Sequence, residues 1–253
     1  MATFGISGIR YFGNLRKVGG DKTKKIDDLT YVFNICNGLD RKLKDAGHIR
    51  AFYLANDNVW ETDLRDPSTG GGGDDNNWAD TVDLFFILTH GNNFNGHTTL
   101  NYNVEKNRFI GDSSTWRLGN NNDCDWLLMY GCKTIDRNNP LKFWERFMRL
   151  HEICGAWGNM WDSFTTDEVG EDIGDNITDG HTIANSWIDG VSDWAVDNHP
   201  IVIAAERAST YNNGNFIWSH TTMNNDHFWG HGVTVSPIDV SEKFWLSCMW
   251  AEE

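Results

Sequence analysis

The longest periodic pattern in the chain covers residues 26–43, where apolar side chains recur at steps of three and four. This spacing places them on one face of an amphipathic helix, and Gly47 predicts a cap at its C-terminal end. Short apolar runs at residues 8–12 and 49–55 flank the helix and predict strands. A strand, a helix and a strand in this order predict a parallel βαβ unit.

Two continuous apolar runs, at residues 83–89 and 125–130, have the length and composition of strands that are buried on both faces. Apolar spacing also predicts strands at residues 153–157 and 200–205 and helices at residues 141–150 and 183–196.

This alternation predicts an α/β protein, a three-layer α/β/α sandwich around a mainly parallel central sheet. The 253 residues are enough for one large domain. We expect a single domain over residues 1–253, with its core at about 5–206. The tail at 207–253 shows no clean period and is predicted to be an irregular extension.

Charge narrows the range of partners. The chain carries 21 Lys and Arg against 36 Asp and Glu, which gives a formal net charge of −15. Binding to nucleic acid or to an anionic membrane requires basic patches, so we expect neither. No apolar run reaches the ~20 residues of a membrane span. The N-terminal residues lack the basic start and apolar stretch of a secretory signal, so we expect a cytoplasmic location.

The cysteines are five in number: Cys36, Cys124, Cys132, Cys154 and Cys248. Their odd count, their wide spacing and the absence of a CxxC pair argue against a disulfide framework or a thiolate zinc site. We therefore expect reduced thiols.

The two buried strands are each followed by reactive residues, His90-Gly91 after the first and Gly131-Cys132 after the second. In a parallel α/β sheet, catalytic groups gather at the carboxyl ends of the strands. If these strands are neighbours, an imidazole faces a thiol, which is the arrangement that activates a thiol nucleophile. The backbone N–H groups of Gly91 and Cys132 would then form an oxyanion hole.

An apolar strand ending in His-Gly, followed 132 − 90 = 42 positions later by one ending in Gly-Cys, resembles the caspase–legumain–gingipain–separase group of cysteine peptidases (clan CD), in a microbial branch. The resemblance covers about residues 5–206. It implies a caspase-like fold with His90 as general base and Cys132 as nucleophile. Tyr130 stands where many of these peptidases place an acidic residue or Gln, two positions before the cysteine.

The resemblance also implies roles for neighbouring residues. Asn14, at the end of the first predicted strand, would orient the imidazole as a polar residue does in legumain-like enzymes; an ordinary turn asparagine is the alternative. Trp157, Asn159 and Trp161 follow the strand after Cys132, where caspase-like enzymes build their specificity pocket.

An irregular segment at residues 57–80 contains the glycine-rich stretch GGGGDDNN and is bracketed by Trp60 and Trp78. Long irregular loops in compact domains are commonly functional, so this segment could close over the crevice. Aromatic rings beside a thiol favour an apolar chain or ring as ligand over a cationic side chain.

A histidine cluster near the C-terminus offers ligands for zinc. His227 and His231 are four residues apart, and His220 or Asp226 would supply a further ligand. A surface loop that contains histidines is the alternative.

An acidic segment offers oxygen ligands for calcium through Asp172, Asp175 and Asp179, with Asn176 between them. The start of a helix or an exposed turn explains these residues equally well. We therefore expect no cofactor.

Three functions remain open. The first is a thiol-dependent hydrolase or acyl-transfer enzyme that uses a His/Cys dyad, with peptide as substrate. The second is the same scaffold catalysing cyclisation or modification of an apolar small molecule in a Trp-rich pocket. The third is a catalytically silent binding module, because a fold can persist after its active site has decayed.

Overall fold

The computed structural model describes most of the chain. The described residues are 1–12, 16–17, 23–24, 26–103, 110–120, 123–192, 196–207, 211–212, 215–216, 221–239 and 243–251. The α-helices within them are α1 (Val32–Asp45), α2 (Val169–Thr178), α3 (Ile183–Val191) and α4 (Thr221–Asn225). The strands are β1 (Thr3–Gly8), β2 (Arg16–Lys17), β3 (Thr23–Lys24), β4 (Ile49–Ala55), β5 (Leu84–Leu88), β6 (Gly91–Phe94), β7 (His97–Asn101), β8 (Ile110–Asp112), β9 (Trp126–Tyr130), β10 (Glu152–Ala156), β11 (Pro200–Arg207), β12 (Tyr211–Asn212), β13 (Asn215–Phe216) and β14 (Lys243–Trp250).

Seven of the strands form a central sheet in the order β14-β11-β10-β9-β5-β1-β4. Neighbouring strands from β4 to β10 are parallel, whereas β11 is antiparallel to both β10 and β14. The prediction of an α/β protein with a mainly parallel sheet is therefore confirmed. Strands β5 and β9, the two continuous apolar runs, lie side by side, and every residue in both is buried.

Apolar side chains cover both faces of the sheet. One layer surrounds Phe86 and Leu128 and receives the buried side chains of the α-helices. The other layer surrounds Phe85 and Leu127. It receives Leu64, Tyr102, Trp116, Phe143 and Phe147 from segments outside the α-helices. In the described part of the chain, α-helices thus cover one face, and 3₁₀ turns with the small sheet β6-β7-β8 cover the other.

Strand β1 begins at Thr3, so the predicted strand at residues 8–12 is wrong. Two glycines hide its apolar pattern. A Cβ at Gly5 would collide with the Phe52 ring of β4, and a Cβ at Gly8 would lie 2.9 Å from Val32 of α1. Close packing by its neighbours therefore requires glycine at these positions, and the strand lacks the alternation that a sequence pattern needs.

Helix α1 begins at Val32, six residues later than the pattern predicts. The backbone amides before it are held by tertiary contacts. Those of Thr30 and Tyr31 donate to the Asp162 carboxylate, and that of Leu29 donates to the Arg10 carbonyl at 2.9 Å. These contacts hold the preceding segment in the loop.

The predicted helix at residues 141–150 is wrong, because Pro140–Arg146 forms 3₁₀ turns. The following backbone pairs with Leu118 instead. The N–H of Leu118 donates to the Arg146 carbonyl and its carbonyl accepts from the N–H of Met148, each at 3.1 Å.

Helix α2 carries two glycines and several acidic residues, and the sequence left open whether a helix starts here or an exposed turn lies here. A Cβ at Gly174 would lie 2.6 Å from the Cβ of Lys42, so the glycine permits the close approach of α1. Helix α3 ends at Val191 and not at residue 196 as predicted, and the Val191 carbonyl accepts a hydrogen bond from the Asn198 side chain at 3.0 Å.

The C-terminal tail is not wholly irregular, as was predicted. Strand β14 pairs with β11 from Lys243 to Trp250 and forms one edge of the sheet. Leu246 and Cys248 pack against one apolar layer and Met249 against the other. Since both faces of β14 are apolar, no alternation marks it in the sequence. None of the helices in the described residues has the length and apolar character needed to cross a membrane.

Candidate active site

His90 and Cys132 follow β5 and β9 at the carboxyl-terminal end of these parallel strands. Leu88 of β5 pairs with Tyr130 of β9, and the Thr89 N–H donates to the Tyr130 carbonyl at 3.3 Å. His90 and Cys132 each follow this matched pair by two residues. The two strands are adjacent, parallel and near the centre of the sheet, which meets the condition set by the sequence analysis and brings His90 and Cys132 to the same end of the sheet.

Both residues line one cavity of about 110 Å³. The other lining residues are Leu29, Leu88, Thr89, Tyr130, Gly131, Met160, Trp161 and Asp162. In the described structure no hydrogen bond joins the His90 ring to Cys132 Sγ. In enzymes that hold no substrate, hydrogen bonds between catalytic groups are often long and tighten only when substrate binds.

The His90 ring is held by a backbone carbonyl. Its Nε2 lies 2.7 Å from the Asp27 carbonyl oxygen, and its ring packs against Phe12 with centroids 4.7 Å apart. A carbonyl oxygen only accepts, so Nε2 carries a proton and Nδ1 remains to exchange one with a substrate or a thiol. Asn14, predicted to orient this ring, lies outside the described residues. Residue types in the sequence do not reveal a backbone carbonyl in this role.

The thiol of Cys132 is held by the loop after β10. Its Sγ lies 3.4 Å from the Met160 carbonyl oxygen and 3.3 Å from the Met160 N–H, which donates to it. A backbone N–H directed at sulfur stabilises negative charge there. Met160 thus contacts the Cys132 sulfur through its main chain, which no sequence motif indicated.

Two glycines allow the main chains of the two strand ends to approach closely. A Cβ at Gly91 would lie 2.7 Å from the Cys132 carbonyl oxygen, and one at Gly131 would lie 2.5 Å from the Thr89 carbonyl oxygen. Lys133 then adopts a positive φ of 50°, which is uncommon outside glycine, and its N–H donates to the Gly158 carbonyl at 2.7 Å. The chain therefore turns sharply just after Cys132.

The pairing of β6 with β7 bears on the predicted oxyanion hole. His90 and Asn101 are joined by a main-chain hydrogen bond of 2.9 Å, and Gly91 lies opposite Leu100. Hydrogen-bonded and non-bonded pairs alternate along an antiparallel ladder, so the Gly91 N–H points away from β7. Cys132 lines the cavity and Gly91 is not among the lining residues, so the oxyanion role of Gly91 and Cys132 stays a prediction.

Of the aromatic residues predicted to bind substrate, Trp161 lines the cavity. Trp157 lies elsewhere, with the Arg137 guanidinium 3.9 Å from its ring centroid. Trp60 donates its Nε1 hydrogen to the Asp57 carbonyl at 2.9 Å. Neither these two tryptophans nor the exposed Asn159 is among the cavity-lining residues, and their part in binding stays a prediction.

The glycine-rich loop does not line the cavity. The Arg65 side chain, which is buried, donates to the Gly71 carbonyl and forms an ion pair with Glu61. Trp78 packs edge-on against Phe52 at 5.4 Å between centroids. These contacts hold the loop against other parts of the protein, and none of them is with a residue that lines the Cys132 cavity.

All five cysteines are free thiols. Burial raises the pKa of Cys36, Cys124 and Cys154 and raises that of Cys248 to about 11. Cys132 is the described cysteine that lines the cavity.

The histidines predicted to bind zinc point to different partners. His231 Nε2 lies 2.8 Å from His48 Nε2, and His227 Nδ1 lies 2.7 Å from the Asn225 carbonyl oxygen. His220 lies outside the described residues.

Asp226 is buried beside a different histidine. It accepts hydrogen bonds at 2.7 Å from Trp126 Nε1 and from the His151 ring. Within the described residues, no group of three or more His, Cys, Asp or Glu side chains has a geometry that could hold a metal ion.

The acidic segment predicted to bind calcium forms α2 and its cap. Asp172 and Asp175 lie in the helix and Asp179 follows its last residue. Asp175 pairs with Lys42 Nζ at 2.6 Å. Of the explanations that the sequence left open for these residues, the structure shows a helix.

Comparison with known proteins gives one family. The family described as "Domain of unknown function (DUF6345)" matches residues 16–251. No curated protein and no solved structure matches the chain significantly. Since the matched range covers nearly the whole sequence, including both strand ends that carry His90 and Cys132, the chain belongs to the DUF6345 family.

Proposed function

We propose that the protein is a thiol-dependent hydrolase or acyl-transfer enzyme that acts on peptide bonds, with Cys132 as nucleophile and His90 as general base. The observation that carries the proposal is the shared cavity, which both side chains line from equivalent positions on adjacent parallel strands. A nucleophile and a base at this edge of a parallel sheet are the elements that acyl transfer requires.

In the proposed first step, Cys132 Sγ attacks the substrate carbonyl carbon while its proton passes to His90 Nδ1. The Asp27 carbonyl keeps the proton on Nε2, so Nδ1 is the nitrogen that accepts. The negative charge that develops on the substrate oxygen would be stabilised by the N–H groups of Gly91 and Cys132.

In the second step, the C–N bond of the substrate breaks and the amine leaves with the proton from His90. A thioester to Cys132 remains. Water deprotonated by His90 would then attack the thioester carbonyl and break its C–S bond, and the proton would return from His90 to Cys132 Sγ as the acid is released, which completes hydrolysis. An amine in place of water would give acyl transfer.

The caspase-like relationship belongs to the same proposal. It is supported by the order of His90 and Cys132 along the chain and by the adjacent parallel strands that carry them. The five free thiols suit a reducing compartment, and we propose the cytoplasm on that ground.

Modification of an apolar small molecule is the second candidate. The observation that favours it is the apolar lining that Leu29, Leu88 and Trp161 give to the cavity. Product analysis by mass spectrometry after incubation with a peptide library or with isoprenoid and fatty-acyl compounds separates the two candidates.

The test is turnover of a fluorogenic peptide library by wild-type protein, Cys132→Ala and Cys248→Ala. We expect Cys132→Ala to abolish turnover with an unchanged circular dichroism spectrum, whereas Cys248→Ala retains it. A folded Cys132→Ala protein that cleaves peptides at the wild-type rate would overturn the mechanism. Lack of peptide turnover by wild-type protein, with modification of apolar compounds, would select the second candidate.

A further inference from the structure

The cavity beside Cys132 is small and its walls are largely apolar. Leu29, Leu88, Met160 and Trp161 supply side chains to it. Its volume of about 110 Å³ is below the ~150 Å³ of an engineered apolar cavity that binds benzene. A group the size of a leucine or methionine side chain matches this space better than an indole does.

The polar groups in the lining are already hydrogen-bonded within the protein. The Tyr130 hydroxyl donates to the Trp161 carbonyl at 2.9 Å. Asp162 accepts from the backbone N–H groups of Thr30 and Tyr31, with 2.8 Å to Tyr31. These amides precede α1, so the positive end of the helix dipole also offsets the Asp162 charge.

A charged substrate group in this cavity would find little compensation. The free energy needed to bury an ion without a partner is far larger than the free energy gained by burying its methylene chain. Charged side chains should therefore bind poorly in this cavity. His90 and Cys132 also line the cavity, and the proposed reaction uses His90 Nδ1 and Cys132 Sγ. The lining thus favours an uncharged apolar occupant.

We infer that the cavity holds an uncharged aliphatic side chain on the residue whose carbonyl Cys132 attacks. This inference rests on the proposed function and names its substrate class. Trp161 is half exposed while it lines the cavity, so the apolar lining reaches the protein surface.

The test compares peptidyl-aminocoumarin substrates that differ only in the residue before the scissile bond: Leu, Met, Trp, Lys or Glu. We expect kcat/KM for Leu and Met to exceed that for Lys, Glu and Trp at least ~10-fold. A preference for Lys would overturn the inference while leaving the thiol mechanism intact, and it would assign a direct role to Asp162.

Two variants and a matched control make the comparison sharper. Met160→Ala, which keeps the main-chain contacts to Sγ, should enlarge the cavity and raise kcat/KM for Trp relative to Leu. Leu29→Phe should fill the cavity and reduce kcat/KM for the Leu substrate more than that for an additional substrate with Ala before the scissile bond. Leu141→Phe, at an exposed position outside the lining, should change neither ratio. Ratios in Met160→Ala and Leu29→Phe equal to those of wild type would overturn the inference.

Binding without turnover separates failure of the inference from failure of the proposed function. Acetyl-leucine and acetyl-lysine amides are titrated into folded Cys132→Ala protein, with Trp161 fluorescence as the readout and Trp161→Phe as the control. We expect tighter binding of the leucine amide. If the leucine amide binds more tightly but the wild-type protein cleaves no substrate, the proposed enzymatic function is wrong and the apolar site stands. If the lysine amide binds equally well or more tightly, the inferred apolar site is wrong.

Discussion

The Nε2 atom of His90 lies 2.7 Å from the carbonyl oxygen of Asp27, so the ring donates to the loop that precedes α1 and keeps Nδ1 for chemistry. This contact separates the two roles of the histidine. The orientation of the ring depends on a donor at Nε2, whereas the proposed reaction requires a base at Nδ1.

Replacement of His90 tests that separation. His90→Gln retains an N–H donor for the Asp27 carbonyl and loses the base, so we expect kcat to fall at least ~10²-fold, and we expect the same loss for His90→Ala. Stopped-flow or steady-state assays with the best peptide substrate measure the effect. Activity of His90→Gln near the wild-type level would contradict the general-base role.

Alkylation separates a reactive cysteine from a silent one. At pH 7.5 we expect iodoacetamide to modify Cys132 at least ~10-fold faster than Cys248, because burial raises the pKa of Cys248 to about 11 and keeps it as the unreactive thiol. Peptide mapping by mass spectrometry gives the rate at each site. Equal rates at the two residues, or slow labelling at both, would favour the binding-module hypothesis.

The contact between His48 and His231 predicts sensitivity to acid. Burial, with the charges of His231 and the N-terminus, lowers the pKa of His48 to about 4, and Asp83 opposes this shift. The unfolded chain therefore takes up the proton first, near its ordinary value of 6.5. Stability should fall as the pH drops from 6.5 to 4, by at most about 1.4 kcal/mol per pH unit from this residue.

The corresponding variant is His48→Gln, followed by urea denaturation between pH 4 and pH 8. We expect a shallower loss of stability below pH 6.5 than in wild type. His181→Gln, at an exposed histidine, serves as the control and should keep the wild-type profile. An unchanged slope in His48→Gln would show that other groups govern the acid transition.

Asp75 predicts the opposite dependence. Burial and the nearby Asp66 and Asp80 carboxylates raise its pKa to about 8 from an ordinary 3.8. The folded state holds the proton more tightly, so stability should fall as the pH rises from 4 to 8, by at most about 1.4 kcal/mol per pH unit.

Replacement of Asp75 by Asn removes this titration. Asp75→Asn should therefore be more stable than wild type at pH 8 and close to it at pH 4, as measured by thermal unfolding. Asp189→Asn, at an exposed position on α3, is the control. A difference between wild type and Asp75→Asn that does not change with pH would contradict the shifted titration.

The pattern of apolar residues was sufficient to predict the central strands and the edge at which His90 and Cys132 emerge. Continuous apolar runs such as Leu84–Leu88 and Trp126–Tyr130 require burial on both faces, and this restricts them to the interior of a parallel sheet. The polar residues that follow such strands then lie together at one edge, whatever the loops do. The positions of His90 and Cys132 at the ends of these strands follow from local composition.

Tertiary structure decided the elements whose residues serve a neighbour. Glycine at positions 5 and 8 of β1 and at 174 of α2 disfavours the strand or the helix locally, but it allows a neighbouring element to pack closely. Strand β14 is apolar on both faces, so no alternation marks it in the sequence. The contacts around the reactive pair have the same origin. The Asp27 carbonyl and the Met160 main chain act through atoms that every residue possesses, so only the folded chain could identify them as partners of His90 and Cys132.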